Sequence, residues 1–391
     1  MTRTQRATAA VLGVAGLLWA AAAPAEPLTA DRAVQIALQK NSQMISALAS
    51  ELEAKGGLYS AYSFVLPHLS ANAARAGSQT QRQSGAQLFG SVVVPVPPSD
   101  NTAYSTTPQI TGTWAVLDFS SLKAVSAAGA GLKASRLSLQ AARSDVALAT
   151  RTQFYNTVGA YRLARVAIVA LRLARDNERR VRALFEVGSV SRSDLLSAQV
   201  QTANSQLDSL TAEQAVVNQR IALAEALALK EAEMGDIDTV LTAEPRDYDE
   251  ASVLAEAEKS RPDLQAATAS LSAARLGVTA AKFGRLPYLT VSGAAQFSPR
   301  STFTQTDLAT GIKTSGISEE DRLLRGTIAL NWDFFDGLAT DARVATANAQ
   351  LLRAKDNHDA LYRNLAAEVH QALISYNEAV ERLVVANSAF A

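Results

Sequence analysis

Hydrophobic positions along this chain recur with two periods, and each period keeps to its own stretches. Four segments alternate apolar and polar residues with period two, the pattern of a strand with two unlike faces. They are residues 68–73, 109–116, 289–297 and 326–337. In the last, GTIALNWDFFDG, Ile328, Leu330, Trp332 and Phe334 point one way while Thr327, Ala329, Asn331 and Asp333 point the other. Each segment is about ten residues long, as a tilted membrane-spanning strand requires. The polar faces are uncharged and rich in hydroxyls, as on the wall of a wet pore. Thr111, Thr113, Thr290, Ser292 and Asn331 are therefore expected to face water inside a pore, and Trp114, Ile328, Leu330, Trp332 and Phe334 to face lipid. Soluble hairpins covered by helices are the competing reading. The segments between paired strands, 78–106 and 299–325, are polar and are expected to be long loops.

Elsewhere the period is that of a coiled coil. In 189–234 one series runs Leu196, Ala203, Leu210, Val217, Ala224 and a second runs Val200, Leu207, Gln214, Ile221, Ala228. Two seven-residue series offset by four make a left-handed seam. At 1.5 Å per residue this helix extends roughly 65 Å, and the stretch 132–187 roughly 80 Å. Between them Gly188 suits a left-handed helix-closing residue. Ser191 with Asp194 three residues on makes a capping box, so EVGSVSRSDLLSAQ is a tight helical hairpin tip.

The chain repeats itself. Residues 37–74 match 257–295 in pattern, with Pro67 and Pro287 in equivalent places, and Trp114-x-x-x-Asp118 matches Trp332-x-x-x-Asp336. The first repeat covers 26–234, with a strand pair at 66–119 and a helical hairpin at 120–234. An acidic linker at 235–250 follows. The second repeat covers 251–391, with a strand pair at 286–337 and an incomplete helix at 338–391. Asp118 and Asp336 fall where strand passes into helix and are expected to be helix caps.

Composition narrows the function. Lys+Arg and Asp+Glu both number 37, so nothing points to nucleic acid. Alanine supplies much of the 48% hydrophobic content while aromatics are only 6%, which favours close-packed helices over a thick core. Cysteine is absent, which excludes disulfides and thiol chemistry. Three scattered histidines have no metal-ligand spacing, and no phosphate loop or Ser/His/Asp set is present, so no enzyme and no cofactor is expected. Arg3 and Arg6, an apolar run and Ala23-Pro24-Ala25 form an export signal over 1–25; an alanine-rich helix is the alternative there. Arg162, Arg165, Arg172, Arg175, Arg179 and Arg182 form a stripe at helical spacing, read either as a solvated or salt-bridged face or as a lumen-lining one.

Four strands cannot sit in a bilayer as an open sheet, because each unpaired edge group costs several kcal/mol in hydrocarbon. Closure must come from further copies of the chain. The order of elements resembles the outer-membrane efflux (TolC-like) family. The likeness is carried by LTADRAVQIALQKNSQM (28–44), VLPHLSANA, RLPYLTVSG, WDFFDG and FEVGSVSRSDLLSAQ. It implies a mixed α+β fold: a long coiled-coil tube plus four membrane strands per protomer, completing a twelve-stranded barrel in a homotrimer. It also implies a passive exit duct from periplasm to exterior, in a tripartite efflux or type I secretion system, docked to a periplasmic adaptor and an inner-membrane pump. The family's tip motif puts Val187, Gly188 and Ser189 at the adaptor-docking turn, although Ser189 and Val190 depart from the Leu-plus-small pair common there. A second tip is implied near about residue 405 by the repeat offset, beyond Ala391, and the chain is read as truncated. A soluble periplasmic coiled-coil scaffold is the alternative of a different class.

Overall fold

The computed structural model describes residues 27–240, 245–299 and 301–390. The expected export signal at 1–25 lies outside the described residues. In the first repeat come helices α1 (Ala30–Lys40) and α2 (Ser42–Ser63), then strands β1 (His68–Arg82), β2 (Gly85–Phe89), β3 (Val92–Val96) and β4 (Ser99–Leu117). Helices α3 (Phe119–Glu186) and α4 (Arg192–Ala226) follow. In the second come α5 (Glu250–Ser260), α6 (Pro262–Phe283), β5 (Tyr288–Ser298), β6 (Thr302–Asp307), β7 (Lys313–Ile317), β8 (Asp321–Asn331) and α7 (Ala339–Phe390).

The duplication is close. α1 and α5 are each 11 residues long, and α2 and α6 each 22. Both breaks are set by one extended residue, Asn41 (φ −64°, ψ 136°) and Arg261 (φ −67°, ψ 118°). Asn41 restarts the helix by accepting the Gln43 N–H at 2.8 Å, while its amide donates to the Ala226 carbonyl at 3.2 Å. In the second repeat Pro262 starts the new helix, where its missing N–H costs nothing.

Two compact units emerge. One comprises the described residues of 27–45 and 143–240, the other those of 46–142 and 245–390; α2 and α3 contribute to both. In the first unit, α3 and α4 are joined through Gln153, whose amide donates to Gln219 Oε1 at 2.8 Å, and Thr157, whose hydroxyl donates to Gln219 O at 3.2 Å. α4 buries Ala198, Ser205, Ser209 and Leu223, at coiled-coil steps of seven, four and fourteen residues. The two series expected to form a seam take almost no part in this contact. Leu196, Val200, Leu207, Leu210, Val217 and Ile221 are all exposed, and only Ala224 of those series is buried. The contact uses small residues because they let two backbones approach closely; the leucines lie on the adjacent, uncovered face. Next to Gln219, Arg220 donates to Tyr161 Oη at 2.7 Å and ties α4 to α3 again.

In the second unit α7 packs on α5 and α6 around Leu264, Leu365 and Val369. Asp249 caps α5 through the Ser252 N–H at 3.0 Å. The rest is sheet. β1 pairs antiparallel with β4 from His68 opposite Thr113 to Arg82 opposite Ser99. The other edge of β4 pairs with β5 over 109–117, and β5 pairs with β8 along its full length. The spatial order is thus β1-β4-β5-β8, all antiparallel. Among the described residues β1 and β8 each keep one free edge.

The two linking segments are not loops. β1 and β4 continue well into 78–106, which also holds the β2–β3 hairpin; 299–325 holds β6, β7 and the first part of β8. β6 takes over from β5 beside β4 at 99–103. The residues there are mostly polar on both faces, so no apolar alternation marks the strands.

Candidate functional site

The register decides what shares a face. Residues directly opposite in antiparallel strands lie on one side of the sheet. Trp114 opposes Val291, which opposes Ile328; Leu289 opposes Leu330; Ile110 opposes Ala295, which opposes Leu324. Leu69, Ala71 and Ala73 of β1 complete this apolar side. On the other side Thr113 opposes Ser292, which opposes Thr327, and Ser70, Thr111 and Ala294 form the next row. Thr290 and Asn331 belong here too, joined by the Asn331 amide donating to Thr290 Oγ1 at 3.1 Å. Ser70 and Thr111 hydroxyls meet at 2.6 Å. So Thr111, Thr113, Thr290, Ser292 and Asn331 share one face, and Trp114, Ile328 and Leu330 the opposite one.

Trp332 and Phe334 were expected within the same strand, and the structure corrects this. β8 ends at Asn331, and both aromatics lie in the turn leading to α7. The reason is local. The Trp332 indole N–H is drawn to the Arg285 carbonyl at 3.2 Å. Gly337 (φ 64°) and Leu338 (φ 71°) then take left-handed conformations that no strand accommodates.

β8 also starts earlier than the alternation indicated, at Asp321, which brings Arg322 and Arg325 into the sheet. Arg322 lies on the apolar side opposite Phe297, with its guanidinium 5.4 Å from the ring centre. Arg75 sits similarly over Tyr104 at 6.0 Å. Arg325 falls on the polar side, opposite Ala294. Sequence reasoning missed it because one arginine in a polar stretch reads as loop; only its even spacing from Thr327 marked it.

At the strand ends each repeat carries the same stitch. The Trp114 indole donates to the Val65 carbonyl at 2.9 Å, as Trp332 does to Arg285. Val65 and Arg285 each stand two residues before the proline that opens a strand. The tryptophan near the exit of one strand thus fastens the approach of the strand it pairs with. The expected caps are present as well. Asp118 accepts the Ser121 N–H at 3.1 Å, and Asp336 accepts the Thr340 N–H at 2.8 Å and hydroxyl at 2.6 Å. The Thr340 hydroxyl is the main cause that holds the Asp336 carboxyl below its usual range, with Arg343 adding to it.

At the tip, Gly188 has φ 76°, and Ser189 N–H reaches back to the Leu184 carbonyl at 2.9 Å, closing α3. Ser191 and Asp194 form the reciprocal box: Asp194 N–H to Ser191 Oγ at 3.2 Å and Ser191 N–H to Asp194 Oδ2 at 3.0 Å. The Ser191 hydroxyl is the first cause that lowers the Asp194 pKa. Val187 is 74% exposed, so the turn presents an aliphatic side chain to solvent. Of the arginine stripe, Arg179 pairs with Asp176 and Arg182 with Glu178, while Arg162 donates to the Thr239 carbonyl at 2.7 Å.

Among the described residues no group of three or more His, Cys, Asp or Glu is arranged to hold a metal, and no helix is long and apolar enough to cross a membrane. The sheet, the duplicated helix pairs and the hairpin tip together define the fold of the bacterial outer-membrane channels. VceC of Vibrio cholerae, an outer membrane protein, superposes with TM-score 0.68 over 92% of this chain and 82% of its own, at 17% identity. The CmeC outer membrane channel of Campylobacter jejuni gives 0.64 over 92% and 76%, at 20% identity. A membrane protein from Pseudomonas aeruginosa gives 0.70 over 92% and 79%, at 20% identity. No curated protein sequence matches the chain. Residues 253–389 match the model of the outer membrane efflux protein family.

Proposed function

We infer that the chain is the outer-membrane channel of a tripartite efflux or type I secretion system, a passive duct from periplasm to exterior. One observation carries the reading: a continuous apolar face across β1, β4, β5 and β8, whose two outer members each keep a free edge. Leu324, Ile328 and Leu330 are 82%, 73% and 72% exposed on that face, more than water tolerates in a row. From Arg322 to Trp332 is roughly 33 Å of strand at about 3.3 Å per residue. A tilt of about 40° reduces this to roughly 25 Å, the height of the apolar band on a membrane barrel.

Three copies pairing β8 of one with β1 of the next supply twelve strands and leave no edge in lipid. The bare α4 seam from Leu196 to Ile221 supports the same assembly, since a neighbouring copy's helix covers it. In this reading Trp114, Ile328 and Leu330 meet hydrocarbon, and Trp332 and Phe334 stand at its periplasmic boundary. Thr111, Thr113, Thr290, Ser292 and Asn331 line the pore. Val187, Gly188 and Ser189 dock a periplasmic adaptor, which couples the duct to an inner-membrane pump. The chemistry asked of this chain is containment only.

Fractionation with cross-linking tests it. The chain should stay in the outer-membrane pellet through a high-salt wash and cross-link to a trimer in detergent. A monomer released by salt would replace the duct with a soluble scaffold.

A further inference from the structure

We propose that Arg325 is the residue that gives the pore its ionic selectivity, three copies forming a ring of guanidinium groups that favours anionic solutes. This rests on the channel reading above and adds to it the charge class of the cargo.

The polar side of the sheet is almost uncharged. Along β4 it carries Ala115, Thr113, Thr111, Gln109, Thr107 and Ser105, and along β5 Thr290, Ser292, Ala294, Gln296 and Ser298. β1 contributes Ser70, Asn72, Ala74, Ala76 and Ser78. Among the described residues on this side of β1, β4, β5 and β8, Arg325 is the one fixed charge between the periplasmic end and the outer margin, where Arg82 and Asp321 stand. It closes the row Ser70, Thr111, Ala294, Arg325. The alanine beside it leaves the long side chain room to extend. Its side chain is exposed, and among the described residues that side chain has no ion pair, hydrogen bond or ring contact. The other β8 arginine, Arg322, faces the apolar side and rests on Phe297. An arginine stays protonated at any physiological pH, and its five donors suit carboxylates and phosphates. Its position on an outer strand also admits a simpler role, an inward charge that guards a free edge against mispairing. Barrel closure removes that need, so selectivity in the closed state separates the two.

The test is reversal potential in planar bilayers under a potassium chloride gradient, with the full chain and its R325K, R325Q and R325Q/T327R variants. Three unit charges about 10 Å from the axis, screened at 0.1 M salt, raise the anion-to-cation permeability ratio about fivefold. The wild type and R325K should therefore prefer chloride. R325Q should lose about fivefold in the ratio, and R325Q/T327R, which restores a charge two residues along the same face, should recover it. A conducting R325Q channel with an unchanged ratio overturns the proposal. So does an R325Q chain that loses trimers while its residual channels keep wild-type selectivity, which assigns the arginine to edge protection. If the wild type forms trimers that never conduct, the duct reading fails instead.

Discussion

Replacing Ile328 by arginine puts the two-sided sheet to its hardest test. Between Arg322 and Trp332 the middle residue is Thr327, so Ile328 lies one residue from mid-height, roughly 2.5 Å after tilt. An arginine facing hydrocarbon at that depth costs about 2–4 kcal/mol per copy. Thr327→Arg is matched in depth but opens on the opposite face, where a charge stays hydrated. Ile328→Arg should lower stability by that amount per protomer, and Thr327→Arg by under about 0.5 kcal/mol. Urea unfolding followed by circular dichroism in lipid vesicles reads the difference, with trimer yield in the outer membrane as a cellular check. Equal losses, or a larger loss for Thr327→Arg, would mean that the apolar face does not meet lipid.

Three further outcomes follow from the geometry. Trp114→Phe and Trp332→Phe each remove one indole donor and keep an aromatic ring, so each should cost about 1 kcal/mol in the same unfolding assay. β5 separates the two sites by two strand spacings, about 10 Å, and the double variant should cost the sum; non-additivity would show a shared brace. Gly188→Ala forces a Cβ into a left-handed residue and should cost about 1 kcal/mol locally, weakening adaptor capture in a pull-down while trimers persist. Acid should loosen the helices in a defined window. Asp263, held down chiefly by its Arg261 hydrogen bond, and Asp194, held down by Ser191, have folded pKa values below the ordinary carboxylate. Their contribution is complete above about pH 4 and disappears as the pH falls further. Hydrogen exchange at α4 and α6 should rise below that point, and Asp263→Asn should abolish the α6 response.

Much of the molecule was legible in its residue pattern, and the exceptions share a cause. The period-two stretches, the duplication and the tip are local signals, and Gly188, Ser191 and Asp194 adopt the geometry their types require. The helix breaks at Asn41 and Arg261 were not foreseen; Asn41 is drawn out by a carbonyl at Ala226, 185 residues away. The α4 contact within the chain was not legible because leucines dominate any count of hydrophobic periodicity, while the buried face is Ala198, Ser205 and Ser209. Arg325 was hidden for the converse reason: a lone charge at the start of β8, after a long polar stretch, reads as loop rather than as part of the alternating strand.

The unpaired margins of β1 and β8 have a genetic corollary. In the proposed trimer each subunit clasps two neighbours, so a copy able to clasp only one would spoil every ring it joins. When such a variant is made in equal amount with its normal counterpart, only about an eighth of random three-membered rings escape it. A cell carrying both alleles should therefore behave nearly as the null, a dominance that arises from circular symmetry and from no toxicity of the variant.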